Sequence, residues 1–330
     1  MAELRWNPLL KDWIMVASNR QSRPQMTKDW CPFCPGSGKV PDHYDVHRYP
    51  NDFPALSGNP PEPDAVDTDP LFQVAPSYGK CEVLLYSPDH HGTVAGLSDE
   101  HVHKLARMWR QVFDEMRADD KIKYCYIFEN RGAAVGVTMP HPHGQAYGYP
   151  FLPKKLEQEY EAAREHFAQT GSCLFCELLA AEKKDGRRIL FENEHFTVYV
   201  PFFSQLTYGA HVCANRHVAN IGEMTDAELN SLGETVRAVN GMYDSLFDTL
   251  FPYMMCMHNS PINTGDDKAV ADSYHFHIEF MPPMRSATVQ QFQASSESGA
   301  GAWCNPNCPE DKALELKAAY EKYIASRKEN

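Results

Sequence analysis

The sequence predicts a mixed α+β fold in which one structural unit occurs twice in tandem. Each half begins with a Cys-x-x-Cys pair, followed by a β-like run that ends at a histidine. A helix-capping residue stands eight positions after that histidine in both halves. Each half then closes with a His-x-His pair, namely His141 with His143 and His275 with His277. Because these landmarks recur in one order, we predict two domains, residues 1–165 and residues 166–330.

The first half has the pattern of a strand, a helix and a second strand. Residues 82–86 form an apolar run that leads to His90, and Ser98 precedes the helix. The helix is predicted from apolar residues at helical spacing, which are Val102, Leu105, Trp109, Val112, Phe113 and Met116. Residues 124–128 form the next apolar run, with Asn130 shortly after its end.

The second half repeats this pattern. Residues 209–215 lead to His217, and Thr225 with Glu228 forms a capping-box pattern ahead of a second amphipathic stretch. Residues 253–257 form the strand that follows. The remaining predicted elements are a surface helix at residues 156–169, a proline-rich loop at 50–70 and an amphipathic C-terminal helix at 310–327.

Composition and charge exclude several classes of function. Of the 330 residues, 43% are hydrophobic and 23% are charged, which is typical of a soluble globular protein. The formal net charge of −13 argues against nucleic acid as a partner, because duplex binding requires many Lys and Arg side chains at the phosphates. The sequence predicts neither a secretory signal nor a membrane-spanning helix. With ten cysteines and no signal, we expect a cytoplasmic protein whose paired cysteines bind metal.

The first Cys-x-x-Cys pair predicts a zinc site. Structural zinc is usually held by four Cys and His ligands, among them a closely spaced pair. The predicted ligands of site 1 are Cys31, Cys34, His90 and His141. Four protein ligands leave no open position for a substrate, so the predicted role of this metal is to brace the strand end that carries His143.

A second metal site is predicted in the second half, with two possible ligand sets. The first set is Cys173, Cys176, His217 and His275. The alternative set is Glu159, His258, His275 and His277. Both sets require His275, so the sequence leaves the choice open, and the expected metal is zinc or iron.

The segment from His141 to Gln145 predicts a covalent nucleophile. Residues two apart in an extended chain face the same side, so a metal-bound His141 holds His143 beside it. A neutral imidazole nitrogen can attack the α-phosphorus of a nucleotide without first losing a proton. Gly144 permits close approach of the backbone, and the Gln145 amide can donate to a phosphate oxygen. The predicted catalytic residues are therefore His143 and Gln145.

Characteristic motifs are spread over nearly the whole chain: Cys-Pro-Phe-Cys34, Tyr-Pro-Asn-Asp-Phe53, Ser-Pro-Asp-His90, Phe-Glu-Asn-Arg-Gly-Ala-Ala-Val-Gly136, His-Pro-His-Gly-Gln145, Phe-Leu-Pro153, His-Phe-His277 and Arg-Ser-Ala-Thr-Val289. In these motifs the chain resembles the galactose-1-phosphate uridylyltransferase family of the histidine-triad superfamily. The resemblance implies two histidine-triad-like domains with antiparallel half-barrel sheets flanked by helices, usually paired in a homodimer. It also implies a ping-pong reaction in which UDP-glucose transfers its uridylyl group to His143 and a hexose 1-phosphate then accepts it.

The resemblance also implies substrate contacts. The residues implied at the nucleoside are Asn51, Asp52 and Phe53. The residues implied around the phosphates are Arg20, Arg23, Gly136, Thr138 and Gln145. Two further predicted contacts are Asn130 and Glu297, of which the glutamate stands near the position expected to meet the sugar.

Departures from the family pattern leave alternatives open. Cys173-Leu-Phe-Cys176 is similar to the plant nucleotide-sugar phosphorylase branch, and the segment after Val289 diverges. Gln145 stands where hydrolytic relatives carry a histidine, which favours transfer over hydrolysis because an amide cannot shuttle a proton. The leading hypothesis is a UDP-glucose:hexose-1-phosphate uridylyltransferase. The alternatives are an ADP-glucose-type phosphorylase or adenylyltransferase that uses the same histidine, and a non-catalytic, zinc-braced nucleotide-binding protein.

Overall fold

The computed structural model describes residues 2–22, 30–63, 68–137 and 139–329. The strands are β1 (Ala2–Asn7), β2 (Asp12–Ala17), β3 (His47–Pro50), β4 (Val74–Pro76), β5 (Lys80–Leu85), β6 (Tyr124–Arg131), β7 (His143–Tyr149), β8 (Ile189–Glu192), β9 (Phe196–Tyr199), β10 (Ala210–Ala214), β11 (Tyr253–His258) and β12 (His277–Met281). The α-helices are α1 (Asp99–Arg117), α2 (Lys154–Thr170), α3 (Leu174–Asp185), α4 (Asp226–Leu246), α5 (Asp267–Ser273) and α6 (Pro309–Glu329).

Nine of the strands in the described part of the chain form one antiparallel sheet, in the order β3-β5-β7-β6-β11-β12-β10-β9-β8. The remaining three form a small sheet in the order β2-β1-β4. From the centre of the large sheet outwards, β6, β7, β5 and β3 of the first half are mirrored by β11, β12, β10 and β9 of the second. The two halves meet where β6 pairs with β11. This arrangement supports the predicted internal repeat.

One face of the large sheet is covered by helices that begin at well-defined caps. Ser98 Oγ accepts a hydrogen bond from His101 N at the start of α1, and Thr225 forms a capping box with Glu228 at the start of α4. The buried faces of α1 and α4 join a single hydrophobic core with the sheet, which α6 extends through residues such as Leu316. Each large apolar side chain buried there contributes roughly 1.5–3 kcal/mol.

The opposite face of the sheet carries the chemically active side chains. Successive residues of a strand point to opposite faces, so Ile127 and Ala146 join the helix-covered core while Phe128 and Gln145 lie on the other side. Helix α2 packs against this second face, where Glu159 contacts His258. The sheet therefore separates a structural face from a polar, aromatic face.

The predicted elements are largely confirmed. The four predicted strands correspond to β5, β6, β10 and β11, and the four predicted helices correspond to α1, α2, α4 and α6. The mixed α+β fold with antiparallel sheets flanked by helices is confirmed. Pairing of β6 with β11 joins the sheets of the two halves into one.

The predicted division at residues 165 and 166 falls within α2, and the main core draws on both halves. The domain boundary therefore stays a prediction. None of the described helices is both long enough and apolar enough to cross a membrane.

Candidate active site and metal-ligand clusters

Four side chains from three separate segments converge just before β7. They are the predicted site 1 residues Cys31, Cys34, His90 and His141, and their ligand atoms all lie within 4.8 Å of one another. Cys34 Sγ lies 3.4 Å from His90 Nδ1, and both sulfurs lie 3.7 Å from His141 Nδ1. Two thiols and two imidazoles at this spacing fit a tetrahedral zinc ion.

The tautomer of His141 follows from its contacts. Its Nε2 lies 2.7 Å from the carbonyl oxygen of Ser87, to which it donates, so Nδ1 carries the lone pair that faces the two sulfurs. Burial lowers the pKa of His141 to about 4, although its hydrogen bond to Ser87 acts in the opposite direction. The ring is therefore neutral, as a metal ligand must be.

His143 begins β7 and is oriented by the backbone of His141. Its Nδ1 lies 2.7 Å from the His141 carbonyl oxygen. Donation to that carbonyl makes Nε2 the ring nitrogen that carries the lone pair. The Phe33 ring packs against both histidines, with its centroid 6.0 Å from each imidazole centroid. The segment that supplies Cys31 and Cys34 therefore also contacts the predicted nucleophile.

Gly144 is required by close packing beneath the nucleophile. A Cβ atom at this position would collide with the hydroxyl of Tyr86 and would lie 3.0 Å from the carbonyl oxygen of Phe128. The backbone N–H of Tyr86 also donates to the carbonyl oxygen of Pro142. Tyr86 therefore supports the chain on both sides of His143.

A chain of hydrogen bonds orients Gln145. The Arg20 guanidinium donates to Tyr147 Oη at 3.2 Å, and Tyr147 donates to Gln145 Oε1 at 3.4 Å. Because the carbonyl oxygen of the amide is used in this way, the amide nitrogen is the group that can donate to an anion. The structure thus connects two residues that the sequence predicts around the phosphates.

The predicted nucleoside contacts lie two strands away from β7, after the end of β3. Asn51 N donates to the carbonyl oxygen of Cys81, and Cys81 pairs with Tyr147 across β5 and β7. The side chain of Asn51 accepts from Phe53 N, while Asp52 accepts from Tyr49 Oη. The backbone hydrogen bond from Asn51 thus places this segment beside Cys81 in β5, which is one strand away from Tyr147 in β7.

A cavity of about 300 Å³ opens beside His143. Its walls include the predicted substrate contact Asn130, together with Gly132, Met139 and Leu250. Gly136 ends the short turn that follows Gly132, and its backbone has a left-handed conformation with φ of 78°. The structure thus gathers the predicted nucleophile and one predicted contact around one opening.

Glu129 also lines this cavity with a buried carboxyl. Tyr253 Oη lies 2.5 Å from Asn240 Oδ1 and 3.2 Å from Glu129 Oε1, but it has one hydrogen to donate. The amide of Asn240 is oriented by donation to Val236 O, so its carbonyl oxygen and the carboxyl of Glu129 both face the hydroxyl of Tyr253 as acceptors. Burial raises the pKa of Glu129 to about 7, although Arg131 and the hydrogen bond from Tyr253 act in the opposite direction.

The remaining predicted substrate residues are less closely tied to His143. Glu297 lies in a turn of the C-terminal segment, where its carboxylate accepts from Ala294 N. The same segment reaches the Gly136 turn through Gln290, whose amide donates to Ala134 O at 3.2 Å. Arg23 and Thr138 lie outside the described residues.

The second Cys-x-x-Cys pair belongs to a cluster like the first. Cys173, Cys176, His217 and His275 place their ligand atoms within 4.8 Å of one another. Cys176 Sγ lies 3.2 Å from His275 Nδ1 and 3.4 Å from His217 Nδ1. Both imidazoles donate through Nε2 to backbone carbonyls, which orients Nδ1 towards the sulfurs. This donor set also fits zinc.

The alternative ligand set for site 2 requires correction. Glu159, His258 and His277 do converge, but their fourth neighbour is Glu279, and His275 lies with the cysteines. The physical reason is strand alternation, because His277 and Glu279 within β12 point to the same face while His275 precedes the strand. The two groups therefore coexist rather than compete.

The Glu/His cluster already contains a cation. Lys155 Nζ lies 2.5 Å from Glu279 and 3.8 Å from Glu159, and His258 Nδ1 lies 2.7 Å from Glu159. Burial acts to raise the pKa of Glu159, but His258 outweighs it and the pKa falls to about 2. Carboxylate and imidazole donors suit zinc or iron, and a metal here would have to displace the ammonium of Lys155.

The chain matches two family models: the N-terminal domain of galactose-1-phosphate uridyl transferase at residues 1–153 and the C-terminal domain at residues 156–302. It is 38% identical to the galactose-1-phosphate uridylyltransferase of Thermotoga maritima over 96% of this chain and 98% of that one. It is 33% identical to that of Rattus norvegicus over 91% and 83% of the two chains. The chain belongs to the galactose-1-phosphate uridylyltransferase family. Like the named members of that family, it is a transferase.

Solved structures agree with this assignment to the uridylyltransferase family. A uridylyltransferase structure superposes with a TM-score of 0.88 at 29% identity, covering 97% of this chain and 99% of that one. An ADP-glucose phosphorylase from Arabidopsis thaliana shares the fold, with a TM-score of 0.73 at 22% identity over 96% and 99% of the two chains.

Sequence reasoning missed several residues of these sites. Tyr147 follows Gln145 by two positions, so strand alternation could have placed its hydroxyl beside the amide. The same rule could have placed Glu279 beside His277. Lys155 stands one helical turn before the predicted ligand Glu159 in α2, so helical spacing could have placed its ammonium near the same cluster.

Proposed function

We propose that this chain transfers a uridylyl group from UDP-glucose to a hexose 1-phosphate through a covalent uridylyl-His143 intermediate. The observation that carries the proposal is the 2.7 Å hydrogen bond between His143 Nδ1 and the His141 carbonyl oxygen. It directs the lone pair to Nε2 and stabilises the positive charge that the imidazole gains on attack. Membership of the family supports the choice of donor and acceptor.

In the first half-reaction, His143 Nε2 forms a bond to the α-phosphorus as the bond from that phosphorus to the bridging oxygen breaks. The electron pair leaves with glucose 1-phosphate, and Nδ1 keeps its hydrogen, so no general base is needed. In the second half-reaction, a phosphate oxygen of the hexose 1-phosphate attacks the uridylyl phosphorus and His143 is released. The amide of Gln145 and the guanidinium of Arg20 are the proposed donors to the phosphate oxygens.

We propose zinc in both Cys/His clusters and zinc or iron in the Glu/His cluster. Zinc bound at site 1 would fix the His141 ring and, through its carbonyl, the tautomer of His143. The family resemblance further supports a homodimer and a cytoplasmic location. Metal analysis together with light scattering on the purified protein tests the metal content and the oligomeric state.

Product analysis tests the proposed substrates. Purified protein is incubated with UDP-glucose and galactose 1-phosphate and, separately, with ADP-glucose and inorganic phosphate. UDP-galactose and glucose 1-phosphate in the first mixture are the expected products. Turnover in the second mixture alone would instead establish a phosphorylase. Nucleotide binding without turnover in either mixture would leave a binding protein and contradict the proposal.

A further inference from the structure

The hydroxyl of Tyr44 lies among all three segments that supply the site 1 ligands. It is 2.6 Å from the carbonyl oxygen of Phe33, which stands between Cys31 and Cys34. It is 3.2 Å from His141 Nε2 and 3.3 Å from the carbonyl oxygen of Ser87, in the loop that leads to His90. One oxygen atom therefore contacts the Cys-x-x-Cys segment, the His90 loop and the His141 ring.

The hydrogens around this oxygen can be assigned by counting donors. Tyr44 has one hydroxyl hydrogen, and Phe33 O is its shortest contact. His141 carries its hydrogen on Nε2, because Nδ1 faces the sulfurs. That N–H donates chiefly to Ser87 O at 2.7 Å and also points towards the oxygen of Tyr44. Tyr44 thus donates to one ligand segment while it accepts from the ring of another.

The ring of Tyr44 has its own packing, independent of the hydroxyl. It packs against the cluster formed by Phe33, Val40, Tyr49 and their neighbours, and it lies 5.7 Å from His47 between ring centroids. A phenylalanine at this position can keep these apolar contacts. The hydroxyl can therefore be removed without deleting the side chain from the cluster.

We propose that Tyr44 is a positioning residue that holds His141 and thereby both retains the site 1 metal and orients His143. It acts through a chain of contacts that runs from its oxygen to the His141 ring, then from the His141 carbonyl to His143 Nδ1. Partners in the outer shell of a metal typically change metal affinity or activity 10–100-fold when removed. The link to catalysis rests on the proposed function, whereas the link to metal retention does not.

The test compares Tyr44→Phe with the wild-type protein and with Tyr78→Phe. Tyr78 Oη donates to Asp119, so the control loses a tyrosine hydroxyl bond away from the cluster. The first readout is the rate of zinc loss to a chromogenic chelator, in which the Cys173 cluster serves as an internal reference. The second readout is the rate of nucleotidylation by UDP-glucose in fully zinc-loaded protein, measured across donor concentrations.

The expected result for Tyr44→Phe is a roughly 10–100-fold faster loss of one zinc per chain, with the release of the remaining metal unchanged. Nucleotidylation at saturating donor is expected to slow, with the half-saturating donor concentration unchanged. Zinc loss at the wild-type rate, or a wild-type site 1 that holds no metal, would overturn the inference. An unchanged nucleotidylation rate would overturn the link to His143. Faster zinc loss in a protein that forms no adduct with any donor would keep the role of Tyr44 and remove the proposed function.

Discussion

At the scale of single residues, the positions of a few hydrogens decide which atoms can react. His141 donates from Nε2 and therefore directs the lone pair of Nδ1 towards the sulfurs. His143 donates from Nδ1 and therefore carries its lone pair on Nε2. Neither ring needs to change its protonation state before reaction. The orientation of these two imidazoles is set by the backbone carbonyls of Ser87 and His141, which lie just after the end of β5 and just before the start of β7.

The raised pKa of Glu129 predicts how the stability of the protein depends on pH. Its pKa in the folded protein, about 7, lies above the ordinary value of 4.5, so the folded state keeps a proton that the unfolded state releases. The resulting stabilisation is fully present below pH 4.5 and is lost as pH rises through 7. Glutamine cannot ionise, so we expect the Glu129→Gln protein to avoid this pH-dependent loss of stability. In the wild-type protein the loss amounts to roughly 3 kcal/mol.

The measurement is the free energy of unfolding of wild-type and Glu129→Gln protein at pH 5, 6, 7 and 8. The difference between the two proteins should grow in favour of the variant as the pH rises. A further comparison at pH 4, below the ordinary pKa of 4.5, is the control, because the carboxyl is then largely neutral in both the folded and the unfolded wild-type protein. Parallel pH profiles would show that Glu129 is already ionised in the folded protein.

At the scale of elements, local sequence patterns predict the helices and the central strands of each half well. The capping residues Ser98 and Thr225 and the apolar spacing of α1 and α4 are local signals, and both helices begin where those signals indicate. The strands that were not predicted include β1, β2, β8 and β9. Each nevertheless pairs with its neighbour in the chain, β1 with β2 and β8 with β9, so a local hairpin pattern could have indicated them.

The capping box at the start of α4 is expected to contribute to the stability of the protein. Thr225→Ala removes the acceptor for Glu228 N and the partner of the Glu228 carboxylate, so we expect a loss of about 1–2 kcal/mol in unfolding free energy. Ser98→Ala is the matched comparison, since Ser98 caps α1 through a hydrogen bond from His101 N. Urea unfolding of both variants measures the difference. A smaller loss for Thr225→Ala than for Ser98→Ala would contradict the importance of the reciprocal bonds.

At the scale of the whole molecule, the large sheet joins the two halves while their chemistry differs. His143 lines an open cavity, whereas the equivalent His277 is buried against His258 and Phe175. The two halves thus share a similar arrangement of strands, and the histidine of the first half faces a cavity that can hold a ligand. The second keeps a Cys/His cluster and an internal charge network.

The predicted ligands of the two Cys/His clusters come from short motifs that occur in both halves of the chain. The residues of both Cys/His clusters are brought together as expected, since each pair of cysteines and each His-x-His pair marks a fixed place in the repeat. The ligand set with Glu279 could not be chosen from spacing alone. It depends on the residue at which β12 begins, because this places His277 and Glu279 on one face of the strand and leaves His275 before it.

Site 1 ties the segment at Cys31 to β5 and β7, so its loss should affect the whole fold. We expect Cys31→Ser to lower both the zinc content, by one ion per chain, and the melting temperature, because metal binding is coupled to folding. Cys81→Ser is the matched control, since Cys81 is buried in β5 outside the clusters. Metal analysis and thermal unfolding measure the two effects. Full zinc content with an unchanged melting temperature in Cys31→Ser would show that the ligand set is wrong.

The covalent role of His143 is tested most directly by intact-protein mass spectrometry after mixing with UDP-glucose in the absence of an acceptor. The expected result is a mass increase of one uridylyl group in the wild-type protein and in His166→Asn, which removes a half-buried histidine of α2 that contacts Glu177. The increase should be absent in His143→Asn, and it should disappear from wild-type protein when galactose 1-phosphate is added. An adduct of the same mass in His143→Asn would contradict the assignment of His143 as the nucleophile.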